Sequence, residues 1–127
     1  MLLDHVGLVN RNKGEAVRFY HGLLGLDTIK ESSVSPELGR KLFSVDCEME
    51  MLVYGRENIK VEVFILPWFT PPLPAVPHFC IQVPDLPVFL DRAKRAGVKM
   101  VAAERGGRTV YFVEDFSGNR IEVKQMG

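Results

Sequence analysis

The chain is poor in the residues that announce several common kinds of small domain. It has two cysteines in 127 residues. Cys47 and Cys80 stand alone, without Cys-x-x-Cys spacing, so neither a disulfide framework nor a zinc knuckle is expected. Net charge is also lacking, because sixteen basic residues cancel sixteen acidic ones. Nothing therefore steers the protein towards nucleic acid or an anionic membrane, and neither is expected as a partner. No apolar run reaches bilayer-spanning length, and the opening Met1-Leu-Leu-Asp-His5 lacks the basic start and long apolar core of a secretory signal. The expected compartment is the cytosol. What remains is one domain's length of chain, enough to bury about two-thirds of its unfolded surface.

What the chain does have is a pattern that occurs twice. Its last stretch, Val110 to Gln125, holds two runs rich in β-branched and aromatic residues around Asp115-Phe-Ser-Gly-Asn119, which reads as strand, turn, strand. In the second run Ile121 and Val123 share one face, and Arg120, Glu122 and Lys124 share the other. An earlier stretch, Lys60-Val-Glu-Val-Phe64, repeats the centre of Arg120-Ile-Glu-Val-Lys124 and also follows a turn signal, Gly55 to Asn58. Upstream of each copy a histidine sits in an apolar strand: His5 before Val6-Gly-Leu-Val9, and His78 before Phe79-Cys-Ile-Gln-Val83. A helical pattern then leads to a glycine at nearly the same distance, Gly25 in one copy and Gly97 in the other. One unit is written twice, over roughly residues 1–66 and 77–127.

Within the first copy, Leu2–Val9 reads as a strand. Gly14 and Glu15 open a helix whose stripe is Val17, Tyr20 and Leu24, with Phe19 and Leu23 beside it, and Gly25 supplies a left-handed cap. His21 reads as an exposed helical residue. Leu26–Glu31 is a short strand, Ser32–Gly39 a polar loop, and Lys41–Tyr54 holds one strand with Asp46, Glu48 and Glu50 on a common side. Ile59–Leu66 is a strong strand. In the second copy Pro77–Val83 is a strand, Asp85 caps a helix ending at Gly97, and Lys99–Ala103 is a strand before the final hairpin. Between the copies, Pro67–Pro77 holds five of the eight prolines and can be neither helix nor central strand. With Trp68, Phe69, Leu73 and Val76 it is too apolar for a solvated linker, so it covers an edge of its own core, lines a pocket or meets a partner subunit.

The fold expected is α+β: tandem βαβββ modules forming a cupped, mostly antiparallel sheet with helices on its outer face, the whole chain being a single domain of two modules, 1–66 and 78–127, joined by residues 67–77. His5, Glu62, His78 and Glu122 all lie on the parity opposite most of the β-branched residues of their strands, which places them on the uncovered face. A lone strand histidine or glutamate is more often structural or solvated. Four at equivalent places in a repeat, two imidazoles and two carboxylates, suit a divalent metal. Nitrogen and oxygen donors without thiolate leave Zn, Ni, Mn and Fe open.

The segments Asp4-His-Val-Gly-Leu8, Phe19-Tyr-His-Gly-Leu-Leu-Gly-Leu26 and Val113-Glu-Asp-Phe-Ser-Gly-Asn-Arg-Ile-Glu122 resemble the vicinal oxygen chelate superfamily, over the whole chain. Its members include glyoxalase I, methylmalonyl-CoA epimerase, extradiol dioxygenases and fosfomycin or bleomycin resistance proteins. The glyoxalase I pattern of metal ligands is matched residue by residue by His5, Glu62, His78 and Glu122. The pattern that grips glutathione is not: Val9 stands where glyoxalase I has a basic residue, and Leu66 where it has asparagine. A glutamine usual in the epimerases is replaced by Glu62.

The resemblance implies a metal-dependent lyase or isomerase acting on a small substrate with neighbouring oxygens through an enediolate, distinct from glutathione-dependent glyoxalase I. Glu122 is then the first candidate for the base and Glu62 the second. The alternatives are an extradiol-type dioxygenase and a metal-free binder of the bleomycin-resistance type. Burying two carboxylates without a cation is costly, which favours the metalloenzyme. The resemblance also implies a homodimer whose sites lie between chains, since compact relatives of this length more usually pair modules of different chains, an arrangement that the stiff Pro67–Pro77 segment suits.

Overall fold

The computed structural model describes residues 1–127. Eight strands and three helical elements form two compact units, Met1–Phe69 and Thr70–Gly127. Each unit is built around one mixed four-stranded sheet, and neither sheet closes into a barrel. The α+β class and the βαβββ plan are as the repeat predicts.

In the first unit β1 (Val6–Asn10) leads to a helix that begins as α1 (Lys13–Ala16) and continues with wider π-helical turns over Val17–Leu23. Asn12 caps it, its side-chain oxygen accepting from the Glu15 amide at 2.8 Å, a contact worth about 1 kcal/mol in such positions. Gly25 then turns the chain with φ of 70°. The strands β2 (Asp27–Val34), β3 (Met49–Arg56) and β4 (Ile59–Ile65) complete the sheet in the order β1-β4-β3-β2. β1 runs parallel to β4, and the other pairs are antiparallel. Alternation along the strands sends Leu52, Tyr54, Val61 and Val63 to the face that also buries Ala16, Phe19, Tyr20 and Leu23. Tyr20 stacks on Tyr54 with ring centroids 5.9 Å apart.

Four local expectations are corrected. Strand β1 begins at Val6, and Leu2 and Leu3 before it are exposed. The buried helical stripe is Ala16, Phe19, Tyr20 and Leu23, while Val17 is exposed, because the π-helical turn holds more residues and rotates the face. The supposed polar loop Ser32–Gly39 is strand as far as Val34, followed by a helix, α2 (Pro36–Phe43), capped by Ser35. The strand expected within Lys41–Tyr54 therefore starts only at Met49, and Asp46 and Glu48 lie outside it.

The second unit repeats the plan with β5 (His78–Val83), α3 (Leu86–Arg95), β6 (Lys99–Arg105), β7 (Arg108–Glu114) and β8 (Arg120–Gln125), in the sheet order β5-β8-β7-β6. Asp85 caps α3 by accepting from the Val88 amide, and Gly97 ends it with φ of 77°. Ile81, Val83, Val113, Ile121 and Val123 are buried, as are Phe89 and Ala93 of α3. The turn between β7 and β8 is tied by Asp115, whose Oδ1 accepts from the amides of Ser117 and Asn119, both at 2.9 Å. Pro71 packs on that turn so closely that a Cβ on Gly118 would lie 2.6 Å from its ring. The proline segment thus covers part of its own unit, although Trp68, Leu73 and Val76 stay exposed.

Candidate functional site

Each unit brings together one histidine and one glutamate. In the first, Glu62 of β4 pairs in register with Gly7 of β1, and His5 stands two residues before Gly7, on the same face. In the second, Glu122 of β8 pairs with Cys80 of β5, and His78 stands two residues before Cys80. The parallel pairing therefore gives the same diagonal relation twice. His5 Nε2 lies 3.2 Å from Glu62 Oε1, and His78 Nε2 lies 3.6 Å from Glu122 Oε1.

The far nitrogen of each imidazole is held. His5 Nδ1 donates to Asp4 Oδ2 at 2.8 Å, and His78 Nδ1 donates to the Val76 carbonyl at 2.7 Å, since neither oxygen can itself donate. A neutral imidazole held this way presents the lone pair of Nε2 to the carboxylate. Two lone pairs at that separation repel unless a cation lies between them, either a proton or a metal ion. The arrangement is also the usual outer support of a metal-bound histidine, whose second nitrogen donates to a carboxylate or carbonyl. The donors thus fit a divalent ion. No group of three or more His, Cys, Asp or Glu side chains that could hold one is present; each unit brings together one histidine and one glutamate.

The surroundings of the two pairs differ. On the Glu62 face, Met51, Val53 and Phe64 adjoin, by the register of β3 and β4. Val34, Met49 and Leu66 are buried there, with Val9, Val45, Cys47, Met51, Phe64 and Phe69 packed on them. Val9 and Leu66, the two residues that depart from the glyoxalase I pattern, are thus part of an apolar cluster. On the Glu122 face stand Cys80, Arg120, Lys124 and Glu114, with Phe112 edge-on to the His78 ring at 5.0 Å. Lys124 Nζ lies 3.6 Å from Glu122 Oε2. Burial pushes the Cys80 thiol up, and the Glu122 carboxylate adds to the shift. Asp4 is held below the usual carboxylate range, first by its bond to His5 and then by Lys60. An open depression of about 670 Å³ in the first unit borders Asp4, Lys60, Arg56 and Ile29 but not His5 or Glu62.

His21, read as exposed, is exposed but anchored: its Nδ1 lies 2.8 Å from the Leu26 carbonyl, bracing the turn at Gly25. Sequence reasoning missed Asp4, Val76 and Phe43. Asp4 was visible as the residue beside His5, but a backbone carbonyl such as that of Val76 leaves no mark in a sequence.

The paired histidine and glutamate on a repeated parallel strand couple define a class of protein rather than one member. The sequence model of the Glyoxalase/Bleomycin resistance protein/Dioxygenase superfamily matches residues 2–123, and the chain belongs to that superfamily. A glyoxalase family protein from Enterococcus faecalis is similar in structure, with TM-score 0.74 and 20% identity over 95% of this chain and 94% of that one. The fosfomycin resistance protein FosX from Listeria monocytogenes gives TM-score 0.72 at 13% identity, over 98% and 93%. FosX from Mesorhizobium loti gives 0.68 at 16%, over 96% and 89%. A search of curated proteins gives no match.

Proposed function

We propose that this protein is a metal-dependent enzyme acting on a small substrate that offers two neighbouring oxygens. The observation that carries the reading is the repeated pair: an imidazole Nε2 facing a glutamate oxygen, with the imidazole held from behind, in each unit. His5, Glu62, His78 and Glu122 would hold the ion. A divalent ion there would supply a Lewis acid for the two substrate oxygens, a role worth several kcal/mol.

The chain's own residues do the rest. Glu122 is the base: a carboxylate free of the ion, it takes a proton from a substrate carbon and returns it to the neighbouring position. Its place next to Lys124 keeps a cation near the carboxylate as it cycles. Glu62 is the second carboxylate. This is proton transfer of the lyase or isomerase kind, and it does not require glutathione, because Val9 and Leu66 offer no group to grip it. Methylglyoxal with glutathione is therefore expected to be a poor substrate.

Each unit brings two donors, and a metal needs more. The protein works as a homodimer, in which His5 and Glu62 of one chain join the partner's His78 and Glu122. Mixing His5→Ala with His78→Ala through unfolding and refolding tests this. The mixed dimer keeps one site free of both lesions, so the sample should regain about a quarter of wild-type metal content, from half the dimers with half the sites each. No regain despite verified subunit exchange would show that each chain builds its own site. Protein purified without chelator or affinity tag should carry close to one divalent ion per chain. Less than about a tenth of an equivalent would favour a metal-free binding protein.

A further inference from the structure

The first unit contains an element that the second lacks. Between β2 and β3 the chain inserts α2 and the stretch up to Glu48, whereas β6 and β7 are joined by the turn at Gly106 and Gly107. The insertion is folded onto the site face. Phe43, the last residue of α2, lies against Phe64 with ring centroids 5.0 Å apart and planes tilted by 55°. Phe64 is two residues beyond Glu62 on the same strand face, and its ring leans over Gly7, where a Cβ would sit 3.8 Å from Phe64 Cε2. Gly7 is the register partner of Glu62.

An apolar surface therefore begins directly beside the His5–Glu62 pair and runs through Phe64, Phe43, Val9 and Met51. It is only partly covered: Phe43 is 47% exposed, and Phe64, Val9 and Met51 are half-buried. None of these four residues is charged or can donate a side-chain hydrogen bond. An apolar wall supplying affinity beside a few polar groups that fix orientation is the usual make-up of a small-molecule site. The tilted rings of Phe43 and Phe64 leave an open edge suited to a third ring in offset or edge-on contact.

We propose that this wall, built by the α2 insertion, seats an aryl group that the substrate carries next to its two neighbouring oxygens. The inference rests on the chelating site proposed above and assigns Phe43 and Phe64 as specificity-determining residues. The substrate class is thus an aryl-substituted hydroxy-ketone, dicarbonyl or hydroxy-acid rather than a sugar phosphate or a short aliphatic dicarbonyl.

The test uses two bidentate oxygen ligands that differ only in the group concerned, benzohydroxamate and acetohydroxamate, titrated calorimetrically into the zinc-loaded wild-type protein, Phe43→Ala and Phe43→Leu. Benzohydroxamate should bind wild type at least about tenfold more tightly. Phe43→Ala should reduce that ratio about fivefold with acetohydroxamate binding unchanged, and Phe43→Leu should restore part of it. With the methionine methyls labelled, benzohydroxamate should shift Met51 and acetohydroxamate should not. Equal binding of the two ligands overturns the aryl wall while leaving the chelating site standing. Binding of neither overturns the chelating site and the wall with it. An unchanged ratio in Phe43→Ala together with weakened self-association would assign Phe43 to a subunit contact and overturn the proposal.

Discussion

The two units share a plan and differ in what surrounds it. Both place a histidine two residues before the register partner of a glutamate on the neighbouring parallel strand. Both hold the imidazole from behind by its Nδ1. Yet the register partner is Gly7 in one and Cys80 in the other, and the neighbouring face is apolar in one and charged in the other. Strand pairing fixes the two histidine–glutamate pairs, because backbone register leaves little freedom. The face residues and the β2–β3 connection are free to diverge, because no ladder hydrogen bond depends on their side chains. A repeat can therefore keep one histidine–glutamate geometry while the faces around it differ.

The sharpest way to break this comparison is to treat the two glutamates alike. Glu122→Gln and Glu62→Gln should each weaken metal binding by about a hundredfold or more, since loss of an outer-support residue alone costs 10–100-fold. If the units have diverged as proposed, Glu122→Gln should in addition abolish turnover with metal restored at saturating concentration, while Glu62→Gln retains a measurable rate. Equal residual rates would mean that neither carboxylate is the dedicated base.

A second comparison concerns the cores. Phe19 is fully buried and edge-on to Tyr20 at 4.9 Å, whereas Phe89 lies nearer the surface of the smaller core. Phe19→Ala should cost about 3–5 kcal/mol and Phe89→Ala less, near the lower end of that range. Urea denaturation of both variants measures the difference, and a larger loss at Phe89 would reverse the ranking of the two units.

The smallest effect expected separates the two imidazole supports. A carbonyl cannot titrate in this range, but Asp4 can. Its carboxyl is held below the usual range by His5 first and Lys60 next. Because the folded value is depressed, the associated stabilisation is present above the unfolded value and is lost as pH falls through the folded one. Side-chain carboxyl resonances should show Asp4 titrating low. His5→Ala should move the midpoint up by more than Lys60→Met does. A midpoint in the ordinary range would mean that the Asp4–His5 contact does not persist in solution.

Much of this was legible in the chain. The repeated Val/Ile-Glu-Val centre, the histidines on matching parity, the caps at Asp85, Gly25 and Gly97 and the Asp115 turn all rest on local chemistry that a sequence displays. The helix α2 was hidden although its signals were present: Ser35 as cap, Pro36 in the first turn, and Leu38 and Leu42 one turn apart. Gly39 in its middle argued against it. The structure explains that glycine, since a Cβ there would lie 2.8 Å from the Val45 carbonyl, where the chain folds back over the helix. A tertiary close approach thus removed the local signal. The π-helical turns of Val17–Leu23 escaped for a similar reason, because hydrophobic spacing assumes an ordinary α-helical period.

The β2–β3 connection also marks where such a protein can be remodelled. Glu62 sits on β4 and His5 just ahead of β1, while α2 enters and leaves from the ends of β2 and β3. No strand pair includes residues 35–48, so a graft that replaces them with a turn or another helix, keeping apolar residues in place of Val45 and Cys47, is expected to leave the strand registers in place. If the proposed wall sets ligand preference, that preference can be exchanged cassette by cassette without touching the His5–Glu62 pair, a route open to laboratory selection as much as to natural descent.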